Sequence, residues 1–263
     1  MYAFTYERPA SQADAAKLAQ AGGKLLAGGQ TLLASMKLRL AAPEQIVDLG
    51  AIADLKGIRR DGNNVVIGAM TCHADVAESA EVKAAIPALA ALAAGIGDKQ
   101  VRARGTIGGS VANNDPAADY PSALMALGAT VRTNKREIKA DDFFQGLFTT
   151  ALDEGEMITA VSFPLPKKAA YVKFPQPASL FALIGVFVAQ TDAGARVAVT
   201  GAGNGVFRHA GMEAALNGNF APAAIAGVKT DEGEMSSDLH GSSAYRAHLV
   251  GVMTQRAVAK ALA

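Results

Sequence analysis

The chain has 263 residues, half of them hydrophobic and 19% charged, with a formal net charge of +1. That length permits one large domain or two ordinary ones around a sizeable core, and the composition excludes a disordered chain. With no long Lys/Arg block, nucleic acid and anionic membranes are not expected as partners.

The predicted elements alternate early. Ala3–Tyr6 reads as a short strand, and Ser11-Gln12-Ala13-Asp14 starts a helix in the manner of a capping box, running to about Ala21. Lys24–Ala27 reads as a strand that enters Gly28-Gly29, Thr31–Leu38 as a helix and Gln45–Asp48 as another strand, so the opening looks α/β. From Leu55 the pattern changes. Leu55–Ile58 and Val65–Gly68 flank Asp61-Gly62-Asn63-Asn64, a hairpin signal, and short helices follow. Ala84–Gly97 is apolar, but Pro87 and two glycines interrupt it and it is too short to span a bilayer, so no stable membrane insertion is expected. A second glycine cluster, Gly105-Thr106-Ile107-Gly108-Gly109-Ser110, precedes a helix near Pro121. Thr130–Arg132 and Ile138–Ala140 read as a hairpin, and Ile158–Phe163 as a strand ending at Pro164 and Pro166. Pro164–Lys168 is the expected boundary. Beyond it, Ala169–Phe174, Ala182–Gln190 and Arg196–Thr200 read as strands, and Phe207–Leu216 and Ser242–Leu262 as helices, a compact α+β tail. Nothing in Met1–Glu7 resembles a secretory leader, and a cytoplasmic location is the expectation.

The two glycine clusters carry the functional information. Paired glycines let an anion approach the backbone, and successive free N–H groups form an anion-binding concavity. A strand, glycine turn and helix in that order point amides and helix N-terminus at one spot. Each cluster alone also reads as a tight turn; two together suit a long diphosphate ligand. Asp119 reads either as the cap of the helix near Pro121 or as a carboxylate for a ribose hydroxyl, and Asp115 as a turn residue. Lys99 and Arg102 read as a solvated face or as anion contacts. Gly201-Ala202-Gly203-Asn204-Gly205 mimics a dinucleotide motif, but its G-x-G-x-G spacing and missing βαβ context make it a plain turn. Ser242 reads as a helix cap, and Met70 and Met125 as core. The single cysteine, Cys72, permits no intrachain disulfide and no cluster ligated by this chain's thiolates alone. His73, His209, His240 and His248 are scattered, and no metal site is expected.

On these motifs the chain resembles, over essentially its whole length, the FAD-binding (medium) subunit of the molybdenum hydroxylases. That group contains aerobic carbon monoxide dehydrogenase, xanthine dehydrogenase and related aldehyde and N-heterocycle oxidoreductases. Ala27-Gly28-Gly29-Gln30-Thr31-Leu32-Leu33 resembles the first FAD loop, with Met36-Lys37-Leu38-Arg39 after it. Gly97–Arg102 leads into Gly105–Ser110, which resembles the second loop, followed by Asn114–Asp119. Ile46–Leu49, Leu55–Ile58, Gly155–Thr159, Tyr171–Phe174 and Ser243–Val250 resemble further landmarks.

The resemblance implies an α+β chain with the vanillyl-alcohol-oxidase-type (PCMH-type) FAD-binding fold. Two α/β subdomains, about 1–57 and 58–167, would hold FAD between them, and 168–263 would form a C-terminal α+β domain. It implies cofactor contacts from Leu25, Leu26, Ala27, Gly28, Gly29, Gln30, Thr31 and Leu32 around the pyrophosphate. Thr106, Ile107, Gly108, Gly109 and Ser110 would add backbone contacts, and Asp119 would bind the adenosine ribose. Ile96 and Ile158 would pack near the cofactor, with Lys173 close to it. Phe181 is the candidate for a mobile aromatic over the flavin, and Leu180 stands where the family pattern has an arginine. No residue is implied to be catalytic. The implied function is an electron-transfer subunit that receives electrons from [2Fe–2S] clusters on a small subunit. A molybdenum–pterin cofactor on a large subunit does the substrate chemistry, in a dimer of heterotrimers, with the carbon monoxide dehydrogenase type favoured. The alternatives are the flavin subunit of an aldehyde, xanthine or N-heterocycle oxidoreductase, a stand-alone FAD-dependent oxidoreductase of the same fold, and a non-catalytic protein that kept the fold.

Overall fold

The computed structural model describes residues 1–263 and contains three sheets. The first is parallel, in the order β1 (Thr5–Glu7), β3 (Gln45–Asp48), β2 (Lys24–Leu26). Between β1 and β2 runs helix α1 (Gln12–Gln20), whose N-cap Ser11 accepts from the Asp14 amide at 3.1 Å as the capping pattern requires. Helix α2 (Leu32–Lys37) joins β2 to β3. Ala15 of α1 packs on Val47, Leu49, Ile52 and Leu55.

The second sheet is antiparallel, in the order β4 (Ile58–Asp61), β5 (Asn64–Gly68), β8 (Ile158–Pro164), β6 (Thr130–Thr133), β7 (Glu137–Lys139). Both expected hairpins are present, but the first starts three residues late. Leu55 is a fully buried residue of a 3-10 turn, and Gly57, at φ +102°, breaks the chain before β4 begins at Ile58. Six helices lie between β5 and β6: α3 (His73–Glu78), α4 (Ala80–Ala85), α5 (Pro87–Ala94), α6 (Lys99–Arg104), α7 (Ile107–Asn113) and α8 (Tyr120–Leu127). Helix α9 (Ala140–Phe143) follows β7.

The third sheet is an antiparallel meander, in the order β12 (Phe207–Arg208), β11 (Gly194–Thr200), β10 (Ala182–Thr191), β9 (Lys168–Pro175). Its side chains alternate between two cores, as the pleat dictates. Val172, Ile184, Val186, Val188, Val197 and Val199 face α10 (Ala210–Gly218) and α11 (Ser243–Leu262). Tyr171, Phe187, Ala189 and Ala198 join the core of the second sheet and its helices. The helix expected from Phe207 begins only at Ala210. Phe207 and Arg208 pair with β11 first, and the His209 ring then caps the Met212 amide at 3.2 Å. Ser242 caps α11 through the Tyr245 amide, as expected.

Candidate cofactor site

The first glycine turn lies at the carboxyl ends of the parallel strands, where β2 hands over to α2. Gly29 adopts φ +74°, a conformation that favours glycine. The Gly29 and Thr31 carbonyls accept from Leu33 and Ser35, so the turn is closed by its acceptors. Its donors are not used: the amides of Gly28, Gly29, Gln30, Thr31 and Leu32 have no acceptor within the chain. Five successive N–H groups without partners, on residues that are half-buried or exposed, form a cradle suited to a multivalent anion.

The second turn is built on the edge of the antiparallel sheet. Asp98 caps α6 through the Val101 amide at 2.8 Å, and the Arg102 guanidinium donates to the Ile96 and Gly97 carbonyls at 2.9 and 2.8 Å. Arg102 is therefore tied to its own loop, while Lys99 is exposed. After α6 the chain bridges back to β5. His73 N donates to Gly105 O, Ile107 N to Thr71 O and Gly108 N to Ala69 O, all within 3.1 Å. Gly109 N donates to the Thr106 hydroxyl and Ser110 N to the Thr106 carbonyl. The amides of 107, 108 and 110 thus already donate to backbone carbonyls and that of Gly109 to the Thr106 hydroxyl. Of that stretch only the Thr106 amide is without an acceptor.

The two turns touch. A Cβ built on Gly28 would lie 2.8 Å from Gly105 Cα and closer still to the Arg104 carbonyl oxygen, and one on Gly109 would lie 3.3 Å from Ala27 Cβ. A Cβ on Gly108 would lie 2.5 Å from Ala69 Cβ. These glycines are small because backbone packs on backbone, and the result is one continuous seam. Ile158 approaches it at one remove, since Thr159 O accepts from Ala69 N at 2.9 Å.

Ile96, Asp119 and Lys173 form a second group. Lys173 Nζ donates to Gly95 O at 2.8 Å and lies 3.0 Å from Asp119 Oδ1, and the Tyr171 hydroxyl also donates to Asp119. Tyr171 and Lys173 alternate on β9, so both point to the same face. Asp119 is 5% exposed and its side chain does not cap α8. Burial pushes its carboxyl up, against the Lys173 charge and the Tyr171 hydrogen bond. Asp119 therefore does not act as the helix cap, and its oxygens engage Tyr171 and Lys173 of β9. The Arg102 bond to the Ile96 carbonyl ties α6, which leads into residues 106–110, to this group.

The remaining residues fall as follows. Met70 and Met125 are buried, and His240 and His248 are exposed. Cys72 is half-buried, and burial raises its thiol pKa. Asp115 makes a turn through the Ala117 amide. Gly201–Gly205 is a bend between β11 and β12. Leu180, at φ +61°, and Phe181 are exposed at the β9–β10 hairpin. Tyr171, Arg104 and Gly105 were read only as parts of motifs, and sequence reasoning gave none of them a contact of its own. The only available signal was the Tyr171-x-Lys173 alternation.

A βαβ unit whose glycine turn offers unpaired amides, seated on a second glycine turn carried by an antiparallel sheet, defines a protein that holds a phosphate-bearing cofactor by its main chain. The chain belongs to the family of FAD-binding domains of molybdopterin dehydrogenases: residues 2–166 match "FAD binding domain in molybdopterin dehydrogenase". It is 37% identical to the carbon monoxide dehydrogenase medium chain of Hydrogenophaga pseudoflava, covering 97% of this chain and 96% of that one. It is 35% identical to the nicotine 6-hydroxylase medium subunit of Paenarthrobacter nicotinovorans, covering 98% and 97%. A solved structure of the Hydrogenophaga pseudoflava carbon monoxide dehydrogenase superposes with a TM-score of 0.91 at 36% identity, covering 99% of this chain and 98% of that one. The α+β FAD-binding fold expected from the sequence is the fold observed, and the chain is an FAD-binding oxidoreductase subunit. The residues fit that cofactor, since the unpartnered amides at 28–32 match a diphosphate. No helix is long and apolar enough to cross a membrane.

Proposed function

We propose that this chain is the flavin-carrying subunit of a three-component molybdenum hydroxylase, most similar in type to carbon monoxide dehydrogenase. The observation that carries the reading is the run of five unpartnered amides from Gly28 to Leu32 at the seam between the two glycine turns. The similarity to medium chains of named dehydrogenases over nearly their whole length supports it. FAD, when bound, supplies the ability to take up and hand on electrons. The chain's own residues bind and orient it: the 28–32 amides meet the diphosphate, Thr106 and Ser110 border it, and Ile96 and Ile158 pack beside it. Lys173, held by Asp119 and the Gly95 carbonyl, places a fixed cation near Ile96.

In this proposal [2Fe–2S] clusters on a small subunit feed electrons to the flavin, and a molybdenum–pterin cofactor on a large subunit performs the substrate chemistry. The complex is a cytoplasmic dimer of heterotrimers. Residues 1–57 and 58–167 flank the cofactor, and 168–263 form the C-terminal unit. The test is a visible spectrum and mass census of the native complex. The expected result is flavin, iron–sulfur and molybdenum together, with two partner chains. A complex without flavin absorption, or a flavin-loaded chain purified from its host with no partner, overturns the reading.

A further inference from the structure

The glycine run Gly201–Gly205, which takes no part in the cofactor site, is a junction. It links β11 to β12 at one end of the third sheet, and its glycines lie against other segments. A Cβ on Gly201, at φ +81°, would run into the Ala182 carbonyl where β10 begins. One on Gly203 would lie 2.6 Å from the Glu234 carbonyl oxygen, and Ser236 N donates to Ala202 O at 2.8 Å. One on Gly205 would lie 3.6 Å from Gly146 Cα. Two loops, 145–149 and 234–241, are thereby seated on one bend.

Both loops hold large apolar side chains at the surface. Leu147 and Phe148 are more than half exposed, and Leu239 is 89% exposed. Neither tip is slack. Phe148 sits at φ +50°, a conformation that a bulky side chain rarely adopts. The Asn114 amide fixes its loop from beneath, donating to Gly146 O at 2.8 Å and to Thr149 O at 2.7 Å, and Thr149 Oγ1 donates to Leu147 O at 3.0 Å. Asn114 is buried, is itself left-handed at φ +45°, and its Oδ1 finds no donor. A left-handed backbone and an unsatisfied buried oxygen are both unfavourable. What they secure is a phenylalanine that folding leaves uncovered. Leu239 is set in the same way. Asp238 accepts from the His240 and Gly241 amides at 2.9 and 3.2 Å and is gripped by Arg246, which also donates to Leu183 O and Gly201 O.

Apolar anchors that are already rigid lose little freedom when another surface covers them, and aromatic side chains are enriched in the cores of protein interfaces. The charges select the kind of surface. Asp231, Glu232 and Glu234, beside the Gly203 contact, are exposed and form no salt bridge, and the same segment exposes one lysine, Lys229. A second copy of this chain would set carboxylates against carboxylates, and an anionic lipid surface would be repelled. A different chain with a basic rim is complementary.

We propose that Leu147, Phe148 and Leu239 anchor a partner chain of the dehydrogenase, whose docking face is an apolar pocket bordered by lysine and arginine side chains. This rests on the chain working in a multichain complex. The experiment places p-benzoylphenylalanine at position 148 or 239, irradiates the purified native complex and maps the adducts by mass spectrometry. Both positions are expected to join the same partner chain. Dissociation of the complex on dilution, followed by mass photometry, is the second readout. Leu147→Ser with Phe148→Ser is expected to raise the dissociation midpoint at least about tenfold, as loss of an interface anchor implies. Added salt is expected to loosen the wild-type complex more than one carrying Asp231→Asn, Glu232→Gln and Glu234→Gln. An intact complex that yields no adduct, or adducts only between copies of this chain, overturns the assignment. A triple variant with wild-type salt dependence overturns the basic rim. A native preparation that holds no other chain overturns the reading beneath as well. Both probe positions are exposed, so the cross-linking arm decides the matter even where the serine variant fails to fold.

Discussion

Gly28→Ala tests whether the two glycine turns act as one seam. Gly28 is outside the left-handed region of φ, so the added methyl probes contact and not backbone strain. That methyl would meet backbone, 2.8 Å from Gly105 Cα, where ordinary contact begins at 3.4 Å. The turns must therefore part by at least about 0.6 Å, and more at the Arg104 carbonyl, with no side chain able to rotate away. Inserting a methyl into a packed site of this kind costs about 1–3 kcal/mol. If the strain falls on the flavin-bound geometry, FAD affinity drops about 5- to 150-fold. Flavin fluorescence titration of the deflavinated chain measures the affinity, and a thermal melt of the same sample measures any share borne by stability. A variant with wild-type FAD affinity and wild-type melting temperature would falsify the seam and, with it, the reason given for glycine at this position.

Three further outcomes follow from other parts of the molecule. Lys173→Met leaves the Asp119 carboxylate buried without its cation and should cost about 3–5 kcal/mol in urea denaturation. Adding Asp119→Asn should recover most of that loss, and a single-variant cost below about 1 kcal/mol would contradict the pairing. His73, 4% exposed, is held at about 4 by burial and, second, by the Arg102 charge. The folded state therefore binds fewer protons than the unfolded chain between pH 6.5 and 4, and stability falls as pH drops through that window. Between pH 7 and 5 the fall is about 2 kcal/mol, which His73→Phe should abolish in paired urea melts. Gly251 lies inside α11 with open space around its Cα. Gly251→Ala should stabilise by about 0.5–1 kcal/mol and leave FAD affinity unchanged, so a destabilised variant would mean that α11 packs differently.

What the sequence disclosed was local. Strand, paired glycines and helix follow one another within fifteen residues at Lys24–Leu38, so the first turn could be read directly. The caps at Ser11 and Ser242 were legible because an N-cap and its amide are three residues apart. Asp119 was not, because its partners lie 52 and 54 residues downstream on a strand of another sheet. The second turn looked identical in kind to the first. Its amides are nonetheless used by Ala69 and Thr71, contacts that nothing in Gly105–Ser110 announces. Leu55–Ile58 failed as a strand for a related reason: an apolar residue beside a positive-φ glycine serves the core of the first sheet without extending the second.

The third sheet has no solvent side. Val186 and Val188 point into one core and Phe187 and Ala189 into another, and the second belongs equally to α5 and α8. Residues 168–263 are therefore not a detachable module: cutting after Lys167 would bare Tyr171 and Phe187 and strip α8 of its cover. Chimeras that exchange this region between relatives must carry the matching faces of α5 and α8 with it.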